Sequence, residues 1–385
     1  MNPRDESASR TCTKVALLVG SNPLPNYLAA IALEAKEVVL LYTPETGEPR
    51  DRLKAALEKR GLTVTARCIQ DATDARSIRD ACRDLVTDHL HYSGGTKPMA
   101  AHARMTVNED SRASYLDERR GLLRFENGYD RSLTDIDFGL TLDVLLELHG
   151  TSRNASTVTD QIPTEQDAET LATWILKDPN RANSILDHFK PIADGKRKDL
   201  SLTDAKGRPF TFKGPALSVA KVPEDPWNNK TYEHWRDFLC GTWLEMWTAS
   251  AVRQCLENAA PPIEVGVNCT RNNVPFEIDV ALVRGHRLYA ISCTTDSTKG
   301  LCKSKLFEIA MRSRQMGGDL ARCALVCMLD GNDSRGTFVE QLRADIASVW
   351  DAPNTPQVFG LADLREWAGI GQAPDTARLM EWLDS

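Results

Sequence analysis

Residues Val274–Cys293 read V-P-F-E-I-D-V-A-L-V-R-G-H-R-L-Y-A-I-S-C, and this stretch decides the expected fold of the second half of the chain. Two apolar runs, Phe276–Val283 and Arg287–Cys293, flank a turn at Gly285. Apolar runs separated by a short turn that contains glycine predict a β-hairpin. The expected hairpin is the framework on which the chemistry of this half depends.

The predicted hairpin carries two acids, Glu277 and Asp279, on its first strand and Ser292 near the end of its second. Residues two apart on a strand point to the same face, so the two carboxylates lie together. Buried carboxylates are costly unless a positive charge lies between them. Mg²⁺ and Mn²⁺ prefer oxygen ligands, so the pair predicts a metal site. The alternative is an edge strand whose two acids face water, and the hairpin alone does not decide between them.

Composition excludes several classes of protein. The chain has 385 residues, enough for about two or three domains, with 42% hydrophobic and 26% charged residues. A net charge of −7 gives no global basic field, which argues against a constitutive nucleic-acid coat protein but not against an enzyme with a local basic groove. Ten cysteines without zinc spacing suggest a reducing cytoplasm. No apolar run approaches the roughly 18 residues of a membrane span.

Strand and helix patterns alternate through the first half, which predicts a parallel sheet with helices on both faces. A short hairpin over residues 113–125 and a helix over 140–148 follow. The predicted strands are Lys14–Val19, Glu37–Tyr42, Leu62–Ile69 and His89–Tyr92, and the predicted helices are 26–33, 51–60 and 75–86.

Two glycine-containing turns follow strands of this predicted sheet. Ser93-Gly94-Gly95-Thr96-Lys97 leads into a helix, and Gly20-Ser21-Asn22-Pro23 follows the first strand. Glycine lets a ligand approach the backbone, and the free N–H groups at a helix start favour an anion. Lys97 adds a full positive charge. Since ligands of open α/β sheets bind outside the carboxyl ends of the strands, the two turns predict a phosphate-bearing ligand. The alternative for Ser93–Lys97 is a plain tight turn that binds no ligand.

The second half begins with an irregular connecting region, Thr151–Lys221. Its basic stretch Gly195–Lys213 is either a nucleic-acid contact or a solvated surface hairpin, and Pro223–Asn229 is the expected boundary. A helical stripe of Trp235, Phe238, Leu239, Trp243 and Met246 follows, with Glu245 on its flank. After the hairpin come a helix at Lys299–Gln315, strands at Arg322–Leu329 and Gln357–Gly360, and a helix at Leu361–Trp367.

This order of helix, hairpin with E-x-D, helix and strand resembles the PD-(D/E)xK nuclease core. The first half, with its two turns, resembles a CARF domain, the CRISPR-associated Rossmann fold. Together the chain is similar to the CARF–nuclease effectors of type III CRISPR systems. The resemblance implies an α/β chain with a Rossmann-like CARF domain at 1–150, a connecting module at 151–225 and a restriction-endonuclease-like α/β domain at 226–385.

In that family a CARF homodimer binds a cyclic oligoadenylate, often the tetra-adenylate. Binding switches on a Mn²⁺- or Mg²⁺-dependent nuclease that cuts single-stranded DNA, RNA or both. The resemblance therefore implies ligand contacts from Gly20, Ser21, Asn22 and Pro23 and from Ser93, Gly94, Gly95, Thr96 and Lys97.

The resemblance also assigns the nuclease residues. Glu277 and Asp279 match the metal-binding acids, Glu245 the acid of the first helix, and Ser292 a position held by Glu or Ser. Thr294 stands where the family has a lysine. A lysine at the start of the next helix is expected to replace it, with Lys303 preferred, then Lys305, and Lys299 the third candidate.

Two other functions fit the same residues. One is a cyclic oligoadenylate-binding or ring-opening protein with a vestigial nuclease domain. The other is a nucleotide-responsive transcription regulator, against which the lack of a recognisable helix-turn-helix counts weakly.

Overall fold

A computed structural model describes residues 12–83, 85–134, 136–154, 163–182, 185, 237–256, 261–350 and 354–384. Within these residues the chain forms a seven-stranded sheet and a six-stranded sheet, each packed with helices, and a separate two-stranded ribbon. The basic stretch Gly195–Lys213, the boundary Pro223–Asn229 and Trp235 lie outside the described residues. No helix in the described part of the chain is long and apolar enough to cross a membrane.

The first sheet has the strand order β3-β2-β1-β4-β5-β6-β7, and its first five strands run parallel. The antiparallel strands β6 and β7 extend one edge. Strand β1 is central and almost wholly buried, as its continuous apolar sequence predicts. The strands are β1 Lys14–Leu18, β2 Glu37–Tyr42, β3 Thr63–Cys68, β4 His89–His91, β5 Ala113–Asp117, β6 Leu122–Phe125 and β7 Asp130–Ser132.

Helices cover both faces of this sheet, as predicted. Val15 and Leu17 of β1 pack into one core together with residues of α1, α2 and α5, and Ala16 and Leu18 pack into another with residues of α3 and α4. Helix α3 ends at Cys82, shorter than expected. The helices are α1 Leu24–Ala32, α2 Gly47–Lys59, α3 Ala75–Cys82, α4 Lys97–Arg104 and α5 Leu142–Leu148.

The second sheet has the order β15-β12-β11-β10-β9-β8. Its strands β9, β10 and β11 form an antiparallel meander, and β12 and β15 run parallel to β11. The predicted hairpin is confirmed as β10 and β11, with Gly285 in the turn at φ +61°. The strands are β8 Ser152–Arg153, β9 Ile263–Arg271, β10 Val274–Arg284, β11 Arg287–Thr294, β12 Arg322–Cys327 and β15 Gln357–Phe359, with β13 Asn332–Asp333 and β14 Gly336–Thr337 in the ribbon.

Helices also pack on both faces of the second sheet. Residues of α6, α7, α10 and α11 share a core on one face, and residues of α8 and α9 pack on the other. The described part of the connecting region thus contributes a strand, β8, and a helix, α6, to the second half. A π-helical turn, Phe238–Thr242, leads into α7. The helices are α6 Glu165–Lys177, α7 Trp243–Leu256, α8 Lys299–Gly317, α9 Phe338–Val349, α10 Leu361–Trp367 and α11 Ala377–Asp384.

One apolar core joins the two halves. It contains Leu17 and Leu28 of the first half together with Ile278, Leu288 and Met316 of the second, all of them buried. The two sheets are therefore packed through a continuous interior. This packing fixes the first sheet relative to the site on the second.

Candidate functional site

The site in the second half is created by a fork between β10 and β11. Their pairing runs from Arg284–Arg287 to Val280–Ile291 and goes no further. Beyond this point β10 pairs with β9, and β11 pairs with β12. Asp279 and Ser292 are the first residues past the last pair, so they face each other across the fork.

The side-chain alternation of β10 also breaks at Asp279. Ile278 packs in the core shared by the two halves, whereas Val280 packs in the core on the opposite face. A regular strand would place both residues on one face. On β9, Gly266 adopts φ +64° at the position opposite Asp279 in the register. A glycine inside a strand often marks such a distortion, and this glycine is the sequence signal that the prediction overlooked.

Asp279 is held firmly in the fork. Its Oδ2 accepts hydrogen bonds from Ser292 Oγ at 3.0 Å and from Cys293 N at 2.5 Å. Asp279 is 9% exposed. Burial raises the pKa of its carboxyl group, although both hydrogen bonds oppose the rise. Ser292 of β11 therefore lies directly beside Asp279 of β10.

Three carboxyl groups share the fork. Burial raises the pKa of Glu245 on α7 to about 8, and the charges of Asp279 and Glu277 add to this effect. Glu277 lies at the exposed rim, where partial burial and the charge of Asp279 raise its pKa. The structure therefore brings together all three acids that the sequence singled out.

Among the three candidate lysines, Lys305 is the one that acts on these acids. Its ammonium group lowers the pKa of Glu245, Glu277 and Asp279, against the effects that raise them. Lys303 instead pairs with Asp345 of α9, with Nζ 2.8 Å from Oδ2. Lys299 donates to Gln341 Oε1, also on α9. The geometry therefore favours Lys305 as the lysine near the fork, because the side chains of Lys299 and Lys303 are directed to α9.

One acid near the fork was missed by sequence reasoning. The charge of Glu308 raises the pKa of Asp279. Glu308 follows Lys305 by three residues, a spacing that places two side chains on the same face of a helix. That spacing is the signal that would have found it.

The donors at the fork fit a hard divalent cation. No group of three or more His, Cys, Asp or Glu residues in the described ranges is arranged to hold a metal ion. Mg²⁺, however, is commonly held by one or two carboxylates together with substrate phosphates and water, and Glu277 and Asp279 supply two. A cation there would relieve the repulsion that contributes to the raised pKa values of the carboxyl groups.

A polar cavity of about 320 Å³ opens beyond the ends of β11 and β12. Thr295, on its wall, follows Ser292 by three residues, and its Oγ1 donates to Cys240 O of the π-helical turn at 2.7 Å. The cavity wall combines hydrogen-bonding, charged and apolar groups from Pro179, Asn180, Ala182, Thr295, Ser297, Met328, Asp330, Leu361 and Arg365.

The two predicted ligand turns of the first half lie against each other. A Cβ on Gly20 would stand 2.9 Å from Gly95 N, and one on Gly94 would stand 1.9 Å from Leu18 O. Asn26 Nδ2 donates to the same carbonyl at 2.7 Å. Close contact of the turns therefore requires these glycines, whatever they bind, and the expected placement of both turns on one rim is confirmed.

The second turn presents a helix start and a lysine to solvent. Thr96 Oγ1 caps α4 by accepting from Met99 N at 3.3 Å, and Pro98 stands in the first turn of the helix. Lys97 is exposed. Ser93 is less available, because its Oγ accepts from Leu116 N of β5.

In the first turn, Ser21 is exposed and Pro23 is buried. Asn22 Oδ1 accepts from Leu24 N at 3.1 Å and lies 3.0 Å from His149 Nε2. Asn22 also contacts Gly318, at the end of α8 in the second half. The first turn thus touches both the rim and the other half of the molecule.

No protein-family model and no curated protein matches the chain. Its fold is nevertheless found in solved structures. Protein VC1899 from Vibrio cholerae is similar with a TM-score of 0.71 at 16% identity, over 96% of this chain and 98% of that one. Can2 from Sulfobacillus thermosulfidooxidans, in complex with cyclic tetra-adenylate, gives a TM-score of 0.69 at 17% identity, with coverage of 96% and 98%.

A type III CRISPR defence DNA nuclease activated by cyclic oligoadenylate gives a TM-score of 0.55 at 20% identity. The match covers 90% of this chain and 54% of that one. These likenesses confirm the predicted fold class, with a Rossmann-like first half and a second α/β half. The chain therefore shares its fold with Can2 and with this nuclease.

Proposed function

We propose that the protein is a cyclic oligoadenylate-activated, metal-dependent nuclease of type III CRISPR defence. The observation that carries this proposal is the fork, where Glu245, Glu277 and Asp279 meet Lys305. Support comes from the fold shared with Can2, which was solved with cyclic tetra-adenylate. A PD-(D/E)xK active site on the second sheet and a ligand site on the rim of the first are parts of the same proposal.

Glu277 and Asp279 would hold Mn²⁺ or Mg²⁺, which when bound supplies a Lewis acid and an activated water for phosphodiester hydrolysis. Ser292 Oγ and Cys293 N both bind Asp279 Oδ2, which fixes the orientation of the carboxylate. Lys305 places a positive charge where negative charge develops on the phosphate. With a pKa of about 8, Glu245 can hold a proton at neutral pH, and a cation bound nearby would favour release of this proton to solvent.

The nucleic-acid substrate would run past the fork into the polar cavity beyond β11. Thr295, Ser297 and Asn180 offer hydrogen bonds there, and Arg365 offers a positive charge for a phosphate. A cavity of about 320 Å³ can take part of a single strand but not a stacked duplex. We therefore propose single-stranded DNA or RNA as the substrate.

The messenger would bind at the rim of the first sheet, where Lys97 and the start of α4 favour phosphate. A cyclic oligoadenylate of even symmetry suits a two-fold axis, so the proposed active form is a homodimer in which each subunit offers the same turns. A reducing cytoplasm suits ten cysteines that are all free thiols.

The deciding experiment combines purified protein, Mn²⁺ or Mg²⁺, labelled single-stranded DNA and RNA, and cyclic tri-, tetra- and hexa-adenylate. Cleavage is expected only when one of the rings and the cation are both present, and not with linear oligoadenylate. Chromatography of the messenger in the same reactions tests ring opening. Ring consumption without cleavage would replace the nuclease by the ring-opening alternative.

A further inference from the structure

The predicted ligand turn is in direct contact with the helix that carries Lys305. Gly318 follows the last residue of α8 at φ +61° and ψ −151°, a backbone conformation that is essentially confined to glycine. A Cβ on Gly318 would stand 2.0 Å from Asn22 Nδ2. The amide of Asn22 therefore lies where a side chain of residue 318 would otherwise be.

Asn22 cannot easily move aside. Its Oδ1 accepts from Leu24 N at 3.1 Å and lies 3.0 Å from His149 Nε2. Rotation of the amide away from Gly318 would break the hydrogen bond from Leu24 N and the contact with His149. The turn that is proposed to receive the messenger is thus seated against the end of α8 by a fixed side chain.

Helix α8 connects this contact with the fork. Lys305 precedes Gly318 by 13 residues, which corresponds to about 20 Å along a helix at 1.5 Å per residue. The helix is continuous over Lys299–Gly317. Its apolar side is buried along its whole length, with Cys302 and Leu306 in one core and Ile309, Ala310 and Met316 in the core shared by both halves. A displacement at its end is therefore carried to Lys305.

We propose that Asn22 is a positioning residue for the nuclease centre: a messenger that moves the Gly20–Pro23 turn shifts Asn22 against Gly318, and α8 transmits the shift to Lys305. This inference rests on the proposed function and specifies how the messenger site regulates the fork. Coupling between two sites is reciprocal. A change in binding at the fork is therefore expected to alter the affinity for the messenger through the same contact.

The test compares Gly318→Ala with Gly285→Ala. Both glycines have φ +61°, but a Cβ on Gly285 meets nothing within 4 Å, so this variant controls for adding a side chain at a positive φ. Cleavage is measured with and without saturating cyclic tetra-adenylate, and hydrogen–deuterium exchange of α8 is measured under the same conditions. Gly318→Ala is expected to lower the stimulation by at least about fivefold, the lower end of typical coupling, whereas Gly285→Ala stays within about twofold of wild type.

A second variant covers the case in which Gly318→Ala does not fold. Asn22→Ala keeps the glycine and removes the side chain seated on it. Because the messenger is saturating, a lower affinity does not by itself reduce the stimulation of cleavage. A loss of stimulation of at least about fivefold is therefore expected from lost coupling. Full stimulation in either folded variant overturns the inference.

The exchange readout separates this inference from the proposed function. If wild-type protein does not cut but messenger changes the exchange of α8 in wild type and not in the variants, the coupling stands and the nuclease assignment fails. If wild type cuts on messenger and the variants respond equally well, the coupling fails and the nuclease assignment stands. A wild type that shows neither response removes both.

Discussion

Ser292 donates its hydroxyl hydrogen bond to Asp279 Oδ2 at 3.0 Å across the point where β10 and β11 part. If β10 and β11 stayed paired at this point, Asp279 and Ser292 would have no room between them for a third group. The separation of the strands makes that room, and α7 and α8 fill it with Glu245 and Lys305. The chemistry of the second half thus follows from a local failure of sheet pairing.

Asp279→Ala and Glu277→Ala should each abolish cleavage while messenger binding is kept. Each change removes one of the two carboxylates that would hold the cation, and neither residue touches the rim of the first sheet. Cleavage is followed with labelled DNA and RNA, and binding by calorimetry. Full cutting by both variants in Mn²⁺ would show that the fork is not the active site.

Lys305→Ala should slow cleavage by roughly a hundredfold or more, the loss expected when one group that stabilises transition-state charge is removed. Lys303→Ala is the matched control, since it lies on the same helix but pairs with Asp345. The control should change the rate by less than about threefold, because an exposed ion pair contributes little. Single-turnover rates at saturating messenger provide the comparison, and equal rates for the two variants would remove Lys305 from the mechanism.

Glu245→Gln should change how stability depends on pH. The pKa of Glu245 is about 8 in the folded protein, against an ordinary 4.5, so the folded state binds more protons between these values. Its contribution to stability is fully present below about pH 4.5 and is lost as pH rises through about 8. Glutamine carries no such dependence.

The unfolding temperature in the presence of a chelator measures this effect. The variant should gain on wild type as pH rises from about 5 to about 8, and added Mn²⁺ should reduce the gain by stabilising the ionised carboxyl of the wild type. A difference between the two proteins that stays constant over this range would show that Glu245 is not buried among the other acids.

Lys97→Ala should weaken messenger binding without changing the fold. Lys97 is exposed at the start of α4, where it contributes charge but no packing. Calorimetry with cyclic tetra-adenylate should show a loss of about tenfold or more, as expected for a hydrogen bond between charged groups. Unchanged affinity, with an unchanged unfolding temperature, would move the messenger site away from this turn.

The sequence predicted the elements whose pattern is local. The alternating strands and helices of the first half, the hairpin and the presence of α8 all follow from apolar period and glycine. Strand β9 was not anticipated, because Ile263–Arg271 mixes polar and apolar residues in a strand whose faces exchange at Gly266. Helices α9 and α11 were also missed.

The choice among the lysines could not come from the sequence. All three candidates, Lys299, Lys303 and Lys305, lie within two turns of one helix. The position of α9 decides which of them pair with α9 and which does not. Asp345 and Gln341, which hold two of them, lie about 40 residues further along the chain. Long-range contacts of this kind leave no trace in local spacing.

The apolar core that contains both Leu17 and Met316 bears on how such proteins can be recombined. Two units joined by a linker can be exchanged as cassettes, each keeping its own interior. Here a graft of residues 1–150 onto another protein of this fold would leave the face of α8 and β11 without its covering residues. A folded chimera would have to carry the apolar surface of α8 along with the first half, so the smallest exchangeable unit in this architecture includes part of the second half.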